Sequence, residues 1–195
     1  MALVLVVPFA IYGLVSWYQN RFERLPVLGL QGHVISDFHF KNQYGTDVSL
    51  QDWNGKIVVA NYFFTHCPSI CPKMMYQLKR VQAYGGLKNL VITSFTVDPE
   101  RDSVGRLREY AAKFDIKKNW HLLTGDKKLL YRLARNSFLI TATDGDGGPG
   151  DFIHSDKLVL IDAQKRIRGF YDGTDEADVN HLIADLKKLA EEQRN

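Results

Sequence analysis

The only two cysteines of the chain, Cys67 and Cys71, lie within KIVVANYFFTHCPSICPKMMYQLKRVQAY, Lys56 to Tyr84, and no other stretch constrains the fold as strongly. Ile57 to Phe64 is β-branched and aromatic without a charge, the composition of a strand buried on both faces. From Lys73 onward Met74, Leu78 and Val81 recur at helical spacing. Pro68 and Pro72 suit a first helical turn, where a missing amide hydrogen has no partner to lose. The pattern therefore predicts strand, loop, helix, with Cys67 and Cys71 one turn apart on one face at the helix start. Unpaired amides and the positive end of the dipole favour thiolate there, the form that binds metals and attacks disulfides. The plain alternative is a structural disulfide or two buried thiols. A disulfide closing so short a loop restrains the unfolded chain little, so stability is a weak reason for one.

At 195 residues, 45% hydrophobic, the chain can build one ordinary domain plus an appendage. The appendage is at the front. Met1 to Asn20 carries no charge, and Ala2 to Tyr18 is apolar over a bilayer-crossing length, with Trp17 and Tyr18 suited to the headgroup interface. This predicts a single N-terminal transmembrane anchor over 1–20, a tether over 21–36 and a domain over 37–195. A cleaved signal peptide is the alternative, but it lacks a charged leading region and a small-x-small cleavage site. Arg21 and Arg24, following the anchor, would by the positive-inside rule hold the domain in the cytoplasm, a signal that basic residues upstream of Met1 would reverse. The net charge of +3 is spread along the chain without a basic stripe, which argues against nucleic acid as a partner.

In the tether, Pro26, Gly29 and Gly32 break regular structure, and the segment reads as a spacer without further function. Phe38 and Phe40, a turn at Asn42–Gly45, and Val48 with Leu50 predict an initial β-hairpin. After the cysteine helix, Leu90–Val97 reads as a second strand. Asp102 or Ser103 then caps a helix carrying Val104, Leu107, Ala111 and Phe114. Trp120–Leu123 reads as a strand, Lys127–Phe138 as a helix, Leu139–Thr143 as a short strand and Asp144–Gly150 as a loop. Leu158–Ile161 and Ile167–Tyr171 form a second hairpin. A last helix from Thr174 or Asp175 carries Val179, Leu182, Ile183, Leu186 and Leu189 on one face. The class is α/β. No internal repeat, dinucleotide fingerprint or phosphate loop is present.

A strand, then C-x-x-x-C opening a helix, then βα and a final ββα resembles a thioredoxin-like fold, here with an extra N-terminal β-hairpin. Thr65-His66-Cys67-Pro68-Ser69-Ile70-Cys71-Pro72, Val97-Asp98-Pro99-Glu100-Arg101-Asp102 and His154 ahead of the last hairpin together resemble the SCO/SenC family. Its members are membrane-anchored copper proteins serving assembly of cytochrome c oxidase. The resemblance runs from about Asp37 to the C-terminus. It implies one copper ion, Cu(I) or Cu(II), held by Cys67, Cys71 and His154, and a Cys67–Cys71 pair that can close as a disulfide. It also implies as partners the copper-bearing subunit of the oxidase, a copper donor and a thiol reductant. The expected location is a bacterial inner membrane with the domain on its extracytoplasmic face, since no Arg- and Ser-rich transit segment is present. The chemistry agrees independently, because two thiolates and an imidazole suit Cu(I) and can hold Cu(II).

Two departures stand out: Ser69 and Ile153 occupy positions where the family often has Asp. A rival function is thiol–disulfide exchange, with Cys67 attacking and Cys71 resolving. A peroxiredoxin-like peroxidase is a weaker rival, because Thr65 lies only two residues before Cys67 and the proline of that motif is missing. Met74 and Met75 read as core, and Asp98–Asp102 as a helix start. His66 reads as a loop residue, and His33, His39, His121 and His181 have no matching context.

Overall fold

The computed structural model describes residues 7–9, 11–14, 24–84, 87–140 and 153–194. Residues 7–9 and 11–14 are helical, and the remainder of the expected anchor lies outside the described residues. Among the described residues no helix is long and apolar enough to cross a membrane.

The uncharged run Ile57–Phe63 forms strand β3, buried at every position. It is covered on both faces. Ile57, Val59 and Phe63 enter one core half and Val58, Ala60 and Tyr62 the other, as the two-residue period of a strand requires. Around it a seven-stranded sheet has the order β2-β1-β5-β4-β3-β6-β7. The strands are β1 His39–Asn42, β2 Asp47–Ser49, β4 Leu90–Thr96, β5 Trp120–Thr124, β6 Lys157–Ile161 and β7 Ile167–Asp172. β3, β4 and β5 run parallel, while β6 pairs antiparallel with both β3 and β7. The expected leading hairpin is β1–β2, antiparallel to β5 at one edge.

Helices α1 Ile70–Ala83, α2 Val104–Lys113 and α4 Glu176–Glu192 cover one face. Met74, Met75 and Leu78 are fully buried there, as their spacing predicted. Helix α3, Lys127–Arg132, covers the other face and passes into a wider turn over Leu133–Ser137. That turn is closed by the Phe138 amide on the Leu133 carbonyl at 3.0 Å. The expected continuous helix over Lys127–Phe138 thus changes register, and Phe138 is seated fully buried against Trp53, Tyr62 and Phe95. No strand begins at Leu139, whose φ of 55° is left-handed. The rest of that expected strand and the Asp144–Gly150 loop lie outside the described residues.

The segment read as a tether lies against the domain from Leu25 onward. Leu28 bridges to Ile167, the Ile35 amide bonds the Lys165 carbonyl at 2.9 Å, and the Ile35 side chain is buried. Buried Arg168 holds the segment. Its guanidinium donates to the carbonyls of Leu25 and Pro26, to Asp162 at 3.1 Å and to Glu192 at 2.7 Å. Ile167 pairs with Ile161, and Ile161 with Val58 at the start of β3. The N-terminal segment therefore joins the domain at the sheet end opposite to Cys67.

Candidate metal and thiol site

The site lies beyond the carboxyl ends of the parallel strands β3 and β4, where α/β sheets leave room for ligands. Helix α1 starts at Ile70, later than the proline pattern suggested, with Ser69 at its cap and no hydrogen bond from the Ser69 side chain. Cys67 thus precedes the helix, and its sulfur takes the acceptor place that a capping oxygen would fill. The Cys71 amide donates to Cys67 Sγ at 3.4 Å. Only Cys71 belongs to the first turn.

The two thiols, both free, differ in environment. Burial disfavours charge on Cys67, but the amides of Cys71, Ser69 and Ile70 and the Cys71 thiol outweigh it and hold its pKa below the ordinary thiol value. Burial pushes Cys71 up to about 12, helped by its hydrogen bond to Cys67 and by the charges of Cys67 and Asp102. One proton is effectively held on Cys71 and shared toward the sulfur of Cys67.

His154 is exposed just ahead of β6. It lines a cavity of about 10 Å³ together with Cys71, Phe64, Ile70, Val97 and Ser155. That space admits a group of about the size of one water molecule and no organic substrate. Among the described residues no three His, Cys, Asp or Glu side chains converge closely enough to hold a metal ion. Cys67 and Cys71 are together, then, and His154 stands at the rim without closing onto both sulfurs. Ile153, one of the two departures, is buried and fastens this segment to the core, a place where a carboxylate would be costly. Ser69 is exposed.

Local pattern did not single out the support beneath the cysteine loop. Of the two expected helix caps, Ser103 is the one used, accepting from the Arg106 amide, and Asp102 is fully buried. The Asp102 carboxylate accepts from the Thr65 amide at 3.2 Å, the Thr65 hydroxyl at 2.5 Å and the Thr96 hydroxyl at 2.5 Å. Thr65 is thus pinned two residues before Cys67. Its hydroxyl also meets Arg106 Nε at 3.3 Å and exposed His66 at 3.1 Å. Tyr110, on α2, is buried in the same core half as both cysteines.

Comparison with known proteins agrees with this architecture. Residues 28–191 match the family model described as SCO1/SenC. The chain is 30% identical over 160 residues to the SCO1 protein homolog of Bacillus subtilis, covering 80% of this chain and 82% of that protein. A SCO1/SenC family lipoprotein from Bacillus anthracis superposes with a TM-score of 0.72 at 28% identity, over 81% of this chain and 95% of that one. Copper-bound ScoI of Arabidopsis thaliana superposes with a TM-score of 0.64 at 25% identity, over 81% and 99%. The chain belongs to the SCO1/SenC family, and its mixed α/β fold is thioredoxin-like.

Proposed function

We propose that this SCO1/SenC protein takes up a copper ion at Cys67, Cys71 and His154 and hands it on by ligand exchange. The observation carrying the reading is an amide-stabilised sulfur at Cys67 beside a second sulfur, Cys71, which shares one water-sized cavity with the imidazole of His154. The donor set is the soft and borderline one that copper prefers. Cys71 keeps its proton in the free protein, but a bound cation reverses that preference, because a coordinating thiol is deprotonated. His154 lies on the segment leading into β6, outside the rigid strand, where it can close onto the ion or leave it to a recipient. Relatives with copper bound support the choice of metal. The recipient we propose is the copper-bearing subunit of cytochrome c oxidase, with a separate copper donor and a thiol reductant that keeps the pair reduced.

We place the apolar stretch over 1–20 in a bacterial inner membrane as a single-pass anchor, with the domain outside the cytoplasm. Because the following segment joins the sheet end opposite to the cysteines, the site would then face away from the anchor.

The unequal thiols also fit a second reading, thiol–disulfide exchange. The Cys67 thiolate would attack a substrate disulfide, whose departing sulfur takes a proton. Cys71 would then lose its proton and displace the second substrate sulfur, leaving a Cys67–Cys71 disulfide that a thiol reductant must reopen. Burial disfavours the Cys71 thiolate that must resolve the mixed disulfide and slows this second step, so copper is preferred.

The deciding experiment is an anaerobic Cu(I) titration of the reduced full chain in detergent, beside Cys67→Ser, Cys71→Ser and His154→Ala. One ion per chain is expected, with binding lost in either serine variant and weakened in the alanine variant by at least about tenfold, the lower end of what loss of even an outer-shell partner costs. Affinity no better than that of a simple dithiol, indifferent to His154, would sink copper delivery in favour of exchange.

A further inference from the structure

The two ends of the domain differ in charge. Lys56, Lys88, Lys118 and Lys165 stand in the loops that enter β3, β4, β5 and β7, so the strand directions gather at one end of the sheet lysines that are spread along the sequence. Hydrogen bonds join these loops into one surface. Lys165 Nζ donates to Asn54 Oδ1 at 2.8 Å, the Asn89 side chain donates to the Gly55 carbonyl at 3.3 Å, and the Ile92 amide donates to the Asn119 carbonyl at 2.9 Å. Lys117 and Arg166, in the same loops, pair with Asp115 and Asp162, but among the described residues none of the four lysines pairs with a carboxylate. The loops at the opposite end, around the cysteines, carry Asp98, Glu100, Asp126, Asp156 and Asp175. The incoming segment joins the basic end, where the Ile35 amide bonds the Lys165 carbonyl. On that segment Leu30 is 86% exposed, Val27 50% and Val34 47%. Apolar side chains beside unpaired lysines suit a bilayer surface, which takes the former into its interface and attracts the latter through anionic headgroups.

We propose that this end of the domain rests on the bilayer that holds the anchor, with Lys56, Lys88, Lys118 and Lys165 against anionic lipid headgroups and Val27, Leu30 and Val34 in the interfacial layer. This rests on the membrane reading of 1–20 and on no property of the copper site. Leu25, where the segment meets the domain, is seven residues after Tyr18, a reach of at most about 25 Å. So short a link keeps the basic end at high effective concentration beside the headgroups. The same headgroups repel the carboxylates of the other end. The domain is thereby oriented, with its cysteine loop held out into the aqueous phase.

The full chain is reconstituted into vesicles of phosphatidylcholine alone or with about a quarter phosphatidylglycerol, then treated with a membrane-impermeant reagent that acylates amines. Peptide mass spectrometry should find exposed Lys88 and Lys118 acylated several-fold more slowly on the anionic vesicles, with exposed Lys128 on α3 unchanged. The difference should vanish at about 1 M salt, where the Debye length falls to about 3 Å. Amide exchange over 25–35 should also slow on the anionic vesicles, and Leu30→Ser with Val34→Ser should restore it. Equal acylation of Lys88 and Lys118 on both kinds of vesicle would overturn the proposal. Alkaline carbonate extraction tests the anchor separately. If it strips the chain from the vesicles, the membrane reading of 1–20 fails, and cosedimentation of the chain with the same vesicles decides the face alone. Changing all four lysines to Gln should then weaken binding to the anionic vesicles at least about tenfold, since each basic side chain adds to the attraction. Binding indifferent to those four changes would overturn the docking face.

Discussion

The Cys71 amide points at the sulfur of Cys67 from 3.4 Å, so one cysteine acts as an acceptor cap for the helix that carries the other. The relationship is one-way and makes the pair chemically unequal. In the reduced, metal-free chain near neutral pH, iodoacetamide should modify Cys67 about tenfold faster than Cys71, because reaction follows the thiolate fraction and access. Peptide mass spectrometry over a time course reads the order directly. Equal rates would mean that the helix amides do not stabilise the Cys67 thiolate.

The Cys71 thiol gives alkaline pH a defined effect on stability. Its folded pKa of about 12 lies above the unfolded thiol value of 9.0, so the unfolded chain releases this proton first as pH rises. The stability tied to Cys71 is therefore fully present below pH 9 and is lost between 9 and about 12, at up to about 1.4 kcal/mol per pH unit. Urea midpoints of the reduced protein measured across that window should fall, and Cys71→Ala should flatten the slope.

Asp102 organises the cysteine loop through three donors, the Thr65 amide and the Thr65 and Thr96 hydroxyls. Asp102→Ala leaves the Thr65 amide and the Thr65 and Thr96 hydroxyls without their acceptor in a dry site. This should cost about 3 kcal/mol or more, since each stranded buried polar group costs about 1–3 kcal/mol. Chemical denaturation checks the magnitude. Thr65→Val removes one of the three donors, and its loss should be clearly smaller.

Arg168, 4% exposed, ties Asp162, Glu192 and the backbone of Leu25 and Pro26 to one guanidinium. Arg168→Ala leaves a buried carboxylate at Asp162 with Arg166 as its remaining ion pair. The expected loss is about 3–5 kcal/mol, the usual result of removing one partner from a buried pair. The segment at Leu25–Leu28 should then become open to limited proteolysis while copper stoichiometry stays at one, because the network lies at the far end of the sheet. Protection unchanged from the parent would show that Leu28 and Ile35 alone hold the segment down.

The expectations that held rest on short-range physics. An uncharged β-branched run such as Ile57–Phe63 has nowhere to go except the middle of a sheet, and the turn at Asn42–Gly45 can only reverse a hairpin. The period of Met74, Leu78 and Val81 presented one face of α1 to the core. Where the reading erred, the deciding force came from elsewhere in the chain. Pro68 is as compatible with a turn ahead of a helix as with its first turn, and the amides closing on Cys67 Sγ settled the helix start at Ile70. The helix over Lys127–Phe138 widened into a π turn that seats Phe138 among Trp53, Tyr62 and Phe95.

By itself the sequence determined the class of the fold and the placing of both cysteines where a strand gives way to a helix, because strand burial, helical period and the C-x-x-x-C spacing act over a few residues. Only the tertiary structure decided what surrounds those residues. Asp102 beneath Thr65, Tyr110 in the core beside the sulfurs, Cys71 and His154 on one cavity, and Arg168 on the incoming segment join positions about 30 to 140 residues apart. Such partners leave no local period to read. They are selected when the sheet closes, water is excluded and every buried polar group must find an acceptor or do without one.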